Sequence, residues 1–462
     1  MSRILISAAH KSSGKTTVSI GLCAALKNRG LAVQPFKKGP DYIDPMWLST
    51  ASGRTCRNLD FYLMSGDEII HNFVRHSSGA DFSLIEGNKG LYDGLDLDGS
   101  NSNAALAKLL DAPVVLVIDS RGVTRGIAPL ILGYQAFDSQ IRIAGVIINK
   151  IGGARHESKL RAVIEHYTDV PVIGAVHNDP RLEIVERHLG LVPSNEADAA
   201  QRRTEEIGAI VGSQVDLDRL LQVGATAPAL AQTNFPAQEP IVPTPHQKIR
   251  IGLVRDRAFG FYYPDDLEAL TAAGAELVPV DALHDAHLPP VDGMFIGGGF
   301  PELLMDELEQ NSTFREEMRT AIEAGLPVYA ECGGLMYLSR SLTWRGKTRN
   351  MVGVIPGDTV MHDKPVGRGY ARLRETPAHP WPHGNQAGTE RLAHEFHYSS
   401  LDNLDAGLEF AYVVERGTGI AGQRDGLIYK NLLASYSHFR SLQDDNWASR
   451  FVAFVRGCKG CV

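Results

Sequence analysis

The stretch Ser7-Ala-Ala-His-Lys-Ser-Ser-Gly-Lys-Thr-Thr17 decides the fold of the first half of the chain. It follows the strand-like run Arg3–Ala8 and opens a helical pattern over Thr16–Arg29. Gly-Lys-Thr between a strand and a helix is typical of a P-loop, whose backbone N–H groups and helix N-terminus bind phosphate. Ala9 stands where the usual motif has its first glycine, but the strand–loop–helix context favours the P-loop over a chance match.

This loop and a later strand end predict a nucleotide site. The predicted nucleotide-binding residues are Gly14, Lys15, Thr16, Thr17, Asn149 and Lys150. Lys15 would reach the outer phosphates, and Thr16 would offer its hydroxyl to Mg²⁺. Asn149 ends a strand where P-loop proteins often contact the base, and its amide can both donate to and accept from adenine. A GTPase would need Asp where Gly152 stands, so the sequence favours ATP.

Two acidic segments supply the hard oxygen ligands that Mg²⁺ prefers. They are Phe36-Lys-Lys-Gly-Pro-Asp-Tyr-Ile-Asp-Pro45 and Glu86-Gly-Asn-Lys-Gly-Leu-Tyr-Asp-Gly94. Each follows a predicted strand, and open α/β sheets bind ligands at the carboxyl ends of their strands. The predicted metal ligands are Thr16, Asp41 and Glu86. Asp44 and Asp93 are predicted catalytic residues that position the acceptor or a phosphorylated intermediate.

Apolar runs and helical patterns alternate through the first half, which predicts a doubly wound parallel sheet with helices on both faces. The further predicted strands there are Ala32–Phe36, Phe82–Glu86, Val114–Asp119, Ile143–Asn149 and Val172–Val176. After a stretch rich in Ala, Pro, Thr and Gln, typical of a linker, a second α/β pattern begins. Its predicted strands are Ile249–Val254, Glu276–Val280, Met294–Ile296 and Val328–Glu331. The predicted division is a P-loop domain 1–224, a linker 225–247, a second domain 248–450 and a tail 451–462 with Cys458 and Cys461.

Val328-Tyr-Ala-Glu-Cys-Gly-Gly-Leu335 is interpreted as a nucleophile elbow in cysteine form. The turn would expose Cys332, small neighbours permit the tight backbone, and a helix N-terminus favours thiolate. The alternative is a buried cysteine beside a Gly-Gly turn. Backbone N–H groups of the glycine-rich segment 296–302 would surround an oxyanion. His438 would deprotonate Cys332 and later protonate the leaving group.

Bulk properties exclude several classes of function. The chain has 462 residues, 44% hydrophobic content and a formal net charge of -8, which suits two folded domains. That charge gives no general attraction for nucleic acid or anionic membrane. The N-terminal apolar run is too short for a signal peptide, and no stretch is long enough to span a bilayer, so the cytoplasm is the predicted compartment. Five scattered cysteines do not form a disulfide scaffold.

Together these segments resemble the cobyrinic acid a,c-diamide synthase family over almost the whole chain. The matching segments are 13–17, 36–45, 86–94, 258–264 and 331–334. The resemblance implies a P-loop amide synthetase similar to dethiobiotin synthetase, fused to a class I (triad-type) glutamine amidotransferase domain. Mg-ATP would phosphorylate an acetate side chain of a tetrapyrrole, and ammonia released from glutamine by Cys332 would attack the acyl phosphate. This is carbon–nitrogen ligase chemistry at the a and c acetates, and by analogy the protein forms a homodimer.

One position departs from the class I pattern. Many such glutaminases have Glu two residues after the catalytic histidine, where this chain has Arg440. The resemblance implies a Cys–His dyad whose orienting group is unassigned. His394-Glu-Phe-His397 has a spacing of three rather than the four of a zincin, so it is interpreted as a family segment with a structural role or a place near the domain interface.

Several alternatives stay open at this point. The form of segment 86–93 is closer to the sirohaem and sirohydrochlorin branch, so sirohaem or nickel-sirohydrochlorin is an alternative acceptor. A P-loop regulatory ATPase with an inactive glutaminase is a second alternative, opposed by intact Cys332 and His438 and by His10, where such ATPases have an extra lysine. A structural protein with a degenerate site is a third. A fourth is the related adenosylcobyric acid synthase, against which the Asp41–Asp44 segment favours the a,c-type enzyme.

Overall fold

The computed structural model describes residues 1–184, 186–187, 190–191, 193–194, 200–230, 248–382, 388–442 and 446–459. The chain divides into two compact units, Met1–Pro236 and Ala237–Val462. Most of the predicted linker, residues 231–247, lies outside the described residues. Among the helices of the described ranges, none combines the length and the apolar character needed to cross a bilayer.

The first unit alternates strands and helices as its sequence predicts. In chain order its elements are β1 (Arg3–Ala8), α1 (Lys15–Asn28), β2 (Val33–Lys38), α2 (Ile43–Ser52), β3 (Arg57–Leu59), α3 (Gly66–Ser77), β4 (Phe82–Glu86), α4 (Asn103–Leu109), β5 (Val114–Asp119), α5 (Ile127–Phe137), β6 (Ile143–Ile151), α6 (Ala154–Tyr167), β7 (Val172–His177), β8 (Glu186–Arg187), β9 (Gly190–Leu191), α7 (Ala200–Gln214) and α8 (Leu217–Ala225).

Seven of these strands form one sheet in the order β3-β2-β4-β1-β5-β6-β7, and every pairing in it is parallel. Strands β1, β2 and β4 are buried along their whole length, as expected of parallel strands that are covered on both faces. The predicted doubly wound α/β fold is confirmed. Because β2, β4 and β1 are neighbours, the loops after them meet at one edge of the sheet.

The second unit is richer in strands. Its elements are β10 (Ile249–Val254), β11 (Phe259–Phe261), α9 (Pro264–Ala272), β12 (Ala275–Val280), β13 (Gly293–Ile296), β14 (Gly298–Gly299), α10 (Met305–Gln310), α11 (Ser312–Glu323), β15 (Val328–Glu331), α12 (Gly333–Leu338), β16 (Ser339–Trp344), β17 (Lys347–Asn350), β18 (Ile355–Met361), β19 (Gly367–Glu375), β20 (Glu390–His397), β21 (Ser399–Asp402), β22 (Glu409–Arg416), β23 (Arg424–Tyr429), β24 (Leu432–Ser435) and α13 (Trp447–Lys459).

A nine-stranded sheet runs through this unit in the order β12-β10-β13-β15-β24-β23-β22-β19-β20. The first five strands are parallel, and the remaining pairings are antiparallel. A four-stranded sheet, β17-β16-β18-β21, accompanies it. The carboxyl ends of β15 and β24 lie side by side, since Glu331 pairs with Ser435. This register places the loops that follow the two strands next to each other.

The chain end differs from the prediction of a tail over 451–462. Helix α13 runs through that boundary, and Phe451, Val452 and Val455 are buried in the core of the second unit. The domain boundary predicted at residue 450 is therefore too early, because an apolar helical face continues past it. Cys458 is half-buried in this helix, while Cys461 lies outside the described residues.

Candidate active sites

The P-loop closes around a glycine that no other residue replaces without strain. Gly14 has φ 82 and precedes α1, and a Cβ there would lie 2.2 Å from Nδ2 of Asn149. The Asn149 amide donates to the Ser13 carbonyl at 2.8 Å, and Nζ of Lys150 donates to the Ser12 carbonyl at 2.7 Å. Both residues thus hold the loop. The amide nitrogen of Asn149 is used in this contact, so its amide oxygen would have to contact the nucleotide base. That contact stays a prediction.

Three of the predicted site residues meet at the start of α1. Thr16 Oγ1 donates to Glu86 Oε1 at 2.6 Å and lies 3.3 Å from Asp44 Oδ2. Lys15 Nζ lies 3.6 Å from the same Glu86 oxygen, and burial followed by repulsion from Lys37 lowers the pKa of Lys15. Thr17 is half-buried in the same helical turn. The loop thus places a hydroxyl and an ammonium against one buried carboxylate.

Lys37 is a site residue that the sequence analysis did not assign. Its Nζ lies 2.5 Å from Asp44 Oδ2, 3.1 Å from Glu86 Oε1 and 3.7 Å from Asp41 Oδ2. The parallel register pairs Lys37 with Glu86, so the two side chains leave adjacent strands on the same side. Burial acts to lower the pKa of Lys37, but the surrounding carboxylates, Asp44 first, raise it well above its ordinary value. The feature of the sequence that could have identified Lys37 is the position of a charged residue inside the buried strand β2.

The two aspartates at the start of α2 have different environments. Asp41 Oδ1 accepts the backbone N–H groups of Ile43 and Asp44 at 3.0 and 3.1 Å. Burial, and then the neighbouring Asp44 carboxylate, raise the pKa of Asp41 to about 7. Burial also acts to raise the pKa of Asp44, but the ammonium of Lys37 outweighs it and the pKa lies below the ordinary value. The pair therefore offers one firmly ionised carboxylate and one that titrates near neutrality.

The donor set fits a divalent cation. Glu86 is fully buried, and its Oε2 has no hydrogen-bond partner among the described residues. A buried carboxylate oxygen without a donor is costly unless a cation reaches it. The carboxylates of Asp41 and Asp44 and the Thr16 hydroxyl add hard oxygen atoms in the same cluster.

Asp93 occupies a different setting from the other predicted acids. It is exposed, and its Oδ2 accepts the backbone N–H of Gly90 at 2.9 Å. A Cβ on Gly90 would meet that carboxylate at 2.8 Å, so the loop after β4 closes tightly on Asp93. Its contacts are those of a loop cap, and its predicted catalytic role stays a prediction.

The second unit holds Cys332 on a strained turn between β15 and α12. Its side chain is buried, so the exposure that the sequence predicted for the thiol is wrong, because the turn packs closely against the glycine-rich loop. The backbone of Cys332 has φ 47 and ψ -101, a region that side chains other than glycine rarely adopt. Tight packing explains the two following glycines. A Cβ on Gly333 would lie 2.9 Å from the Gly299 nitrogen, and one on Gly334 would lie 2.3 Å from the Ile296 carbonyl. This is the strand–turn–helix geometry of a nucleophile elbow.

His438 completes the thiol site. It hydrogen-bonds the side chain of Cys332, and its Nδ1 lies 3.1 Å from Glu331 Oε2. Burial alone would lower the pKa of His438, but the hydrogen bonds with Cys332 and Glu331 outweigh it and raise the pKa to about 10. The Asp425 carboxylate accepts the backbone N–H groups of Tyr436 and Ser437 at 3.1 and 3.0 Å, which fixes the segment that carries the imidazole.

The glycine-rich loop before α10 lies against the same site. A Cβ on Gly298 would lie 2.7 Å from Cε1 of His438. The N–H of Gly297 donates to the hydroxyl of Tyr262 at 2.9 Å, so this N–H group of the predicted oxyanion segment is not available to bind an oxyanion. The prediction that N–H groups of this loop stabilise an oxyanion therefore applies only to the glycines that lie nearer to Cys332.

Two histidines of the 394–397 segment pack beside the thiol site. The ring of His394 stacks on His438 with centroids 4.9 Å apart, and the ring of His397 stacks on Tyr436 at 3.9 Å. Burial, and then the charge on His438, lower the pKa of His394 well below its ordinary value. Arg440 is directed into an ion pair with Asp265. The position two residues after the histidine therefore serves the packing of the unit.

Comparisons with known proteins match both halves of the chain. Residues 4–192 match the CobQ/CobB/MinD/ParA nucleotide binding domain, and residues 250–446 match the CobB/CobQ-like glutamine amidotransferase domain. The chain is 48% identical to the cobyrinate a,c-diamide synthase of Magnetococcus marinus, covering 98% of this chain and 97% of the relative. It is 43% identical to the enzyme of that name from Methanosarcina acetivorans (95% and 92%) and 41% identical to that from Archaeoglobus fulgidus (97% and 96%).

Proposed function

The chain belongs to the cobyrinate a,c-diamide synthase family, and from this premise we propose that it converts the a and c acetate side chains of cobyrinate into carboxamides. It is a glutamine-dependent, ATP-using carbon–nitrogen ligase. The observation that carries the proposal is the presence in one chain of a Cys332–His438 pair and a P-loop site with converging carboxylates. The predicted alternatives, sirohaem or nickel-sirohydrochlorin as acceptor and a regulatory ATPase, are not favoured by the relatives' names.

The second unit supplies ammonia. The Cys332 thiolate attacks the side-chain amide carbon of glutamine and forms a tetrahedral oxyanion. When the oxyanion collapses, the carbon–nitrogen bond breaks and the imidazolium of His438 gives its proton to the departing ammonia. A γ-glutamyl thioester remains on Cys332. His438 then takes a proton from water as the water attacks the thioester, which releases glutamate and restores the thiol.

The first unit activates the acceptor. A carboxylate oxygen of the acceptor attacks the γ-phosphorus of ATP, and ADP leaves. Ammonia attacks the acyl phosphate at carbon, which forms the amide and releases phosphate. Lys15 and the P-loop N–H groups bind the phosphates. Thr16, Asp41 and Glu86 would hold Mg²⁺, which when bound neutralises charge on the phosphate oxygens. Asp44 would position the acceptor through the same cluster, and Asp93 from the neighbouring loop.

Product mass spectrometry tests the proposal directly. The protein is incubated with Mg-ATP, glutamine carrying heavy nitrogen in its side-chain amide, and separately cobyrinic acid, sirohaem or sirohydrochlorin. We expect two successive OH-to-NH₂ replacements on cobyrinic acid, both with heavy nitrogen, and no product without ATP. Two replacements on sirohaem or sirohydrochlorin alone would change the acceptor but keep the reaction. ATP hydrolysis with no labelled product on any acceptor would refute the proposed function.

We further propose a homodimer, by analogy with dethiobiotin-synthetase-like folds. Sedimentation at several protein concentrations tests it, and a single monomeric species throughout would exclude it.

A further inference from the structure

The acid that orients the catalytic histidine in class I glutaminases is missing from its usual place, yet His438 is held by a carboxylate. Two residues after the histidine stands Arg440, whose guanidinium pairs with Asp265 of α9. Nδ1 of His438 instead lies 3.1 Å from Oε2 of Glu331, and each of these two side chains is 3% exposed. A buried ion pair of this kind persists only where its remaining lone pairs are satisfied.

Glu331 is anchored so that one oxygen is reserved for the histidine. Its Oε1 accepts the Tyr329 hydroxyl at 2.6 Å and the backbone N–H of Phe439 at 3.1 Å. These two donors leave Oε2 directed at Nδ1 of His438. Because Phe439 follows His438 directly, the carboxylate fixes both the backbone and the ring of the base.

We propose that Glu331, the residue immediately before the nucleophile, is the positioning residue that orients His438 and stabilises its imidazolium, in place of the acid two residues after the histidine. The inference rests on the proposed glutaminase function of the second unit. With Nδ1–H donated to Glu331, the other ring nitrogen faces the thiol, which is the tautomer and orientation that a Cys–His pair requires. Nucleophile and orienting acid thus lie on consecutive residues of one strand end.

The charges around His438 agree with this role. Cys332 and Glu331 raise the pKa of the imidazole, whereas His394, stacked on the ring, is held neutral by burial and by its charged neighbour. The hydroxyl of Tyr263 approaches Nδ1 of His394 at 3.5 Å. Glu331 is thus the carboxylate that the structure places in contact with the imidazole.

The test compares Glu331→Gln with the wild type in the full-length enzyme and uses Glu276→Gln, at an exposed position of β12 in the same unit, as the matched control. Glu331→Gln should lower kcat/KM for glutamine by about 10²–10⁴-fold, as expected when an orienting acid is removed. The alkaline limb of its pH profile should move to lower pH, because the carboxylate that helps to raise the pKa of His438 is gone. Glu276→Gln removes an exposed carboxylate from the same unit, so its pH profile should match that of the wild type.

Two further measurements separate positioning from folding. Alkylation of Cys332 by iodoacetamide, followed by peptide mass spectrometry, should slow in Glu331→Gln because His438 is no longer held in the orientation that activates the thiol. Amidation of cobyrinate with free ammonia should stay at the wild-type rate, which also shows that the synthetase reaction is intact. Should Glu331→Gln fail to fold, Glu331→Asp keeps the charge and should retain the alkaline limb at reduced rate.

Three results would overturn the proposal. One is a wild-type pH profile together with a wild-type alkylation rate in Glu331→Gln. Another is the same change of the alkaline limb in Glu276→Gln. The third is loss of ammonia-dependent amidation in both Glu331→Gln and Glu331→Asp, which would give Glu331 a purely structural role. Failure of the proposed function itself has a different signature, because the wild type would then make no labelled product.

Discussion

At the scale of single residues, the P-loop site balances charge between buried groups. Glu86, Asp41 and Asp44 face the ammonium groups of Lys15 and Lys37. Asp41 and Asp44 come from the start of α2 and Glu86 from the end of β4, and the order of the strands brings them together. A change at one of them should therefore affect phosphoryl chemistry without disturbing the second unit.

Glu86→Gln is the sharpest test of the metal site. The substitution keeps the shape but removes the charge from the carboxylate that Thr16 and Lys37 share. We expect ammonia-dependent amidation to fall about 10²–10³-fold, the effect of losing one group that stabilises a charged transition state. A Mg²⁺ titration of the rate measures the change, and glutaminase activity should be unaffected.

Asp81→Asn serves as the control for that variant. Asp81 precedes the same strand at its opposite end, where its exposed carboxylate accepts the Ala32 N–H at 2.8 Å. It should leave amidation unchanged. An unaltered Mg²⁺ dependence in Glu86→Gln would remove Glu86 from the set of proposed metal ligands.

At the scale of elements, the thiol site depends on close approach between the glycine loop β13–β14 and the segment after β24. Gly298→Ala would place a Cβ 2.7 Å from Cε1 of His438, so the imidazole must shift. We expect kcat/KM for glutamine to fall at least about tenfold, because small misplacement of a catalytic group is enough to slow a reaction strongly. Ammonia-dependent amidation should not change.

Gly457→Ala is the matched control for the glycine variant. It lies in α13 of the same unit, and a Cβ there meets no atom within 4 Å. Alanine at an exposed helical position is expected to stabilise slightly, with no effect on catalysis. A Gly298→Ala enzyme with the wild-type glutamine rate would show that the loop yields and that the contact with His438 is unimportant.

Most of the strands that the sequence predicted are buried along most of their length. Strand β1 and strand β15 are buried at every position, so hydrophobic runs locate them. Strand β19 pairs with antiparallel neighbours and alternates buried and exposed residues. Its sequence therefore contains no long apolar run. This is why the antiparallel half of the second unit escaped prediction, as did β3 with its three residues.

The sequence predicted those residues of the candidate sites that lie at or just after the ends of strands. Asp41 and Asp44 were selected because they follow a buried strand and Glu86 because it ends one, and the structure brings them into one cluster with Thr16. Lys37 and Glu331 were missed although both stand in quoted segments, because the sequence alone does not show which groups their charges contact. Only the tertiary pairing of β2 with β4, and of β15 with β24, reveals what they contact.

At the scale of the whole molecule, two compact units divide the chemistry, and this division predicts reciprocal variants. Cys332→Ala should abolish amidation from glutamine while amidation from free ammonia persists. Lys15→Ala should abolish amidation from either nitrogen source, since the phosphates lose their buried ammonium, while glutamate release persists. Measuring glutamate, ADP and amide in each variant checks both halves.

The contrary outcome for this pair is equally clear. If Cys332→Ala also loses the ammonia reaction while its melting temperature matches the wild type, the thiol site and the synthetase are not separable activities. If Lys15→Ala releases no glutamate at all, the glutaminase depends on an occupied nucleotide site. Either result would reject the division of labour while leaving the fold of each unit as described.

At residue 332, folding stability and catalytic reactivity favour different amino acids. A backbone with φ 47 and ψ -101 suits glycine, and a cysteine held there costs on the order of 1–3 kcal/mol of folding stability. A laboratory library selected for heat tolerance alone would therefore enrich glycine at this turn and discard the thiol. Any campaign to harden this enzyme has to couple its survival screen to amide transfer, because survival by itself rewards the loss of the nucleophile.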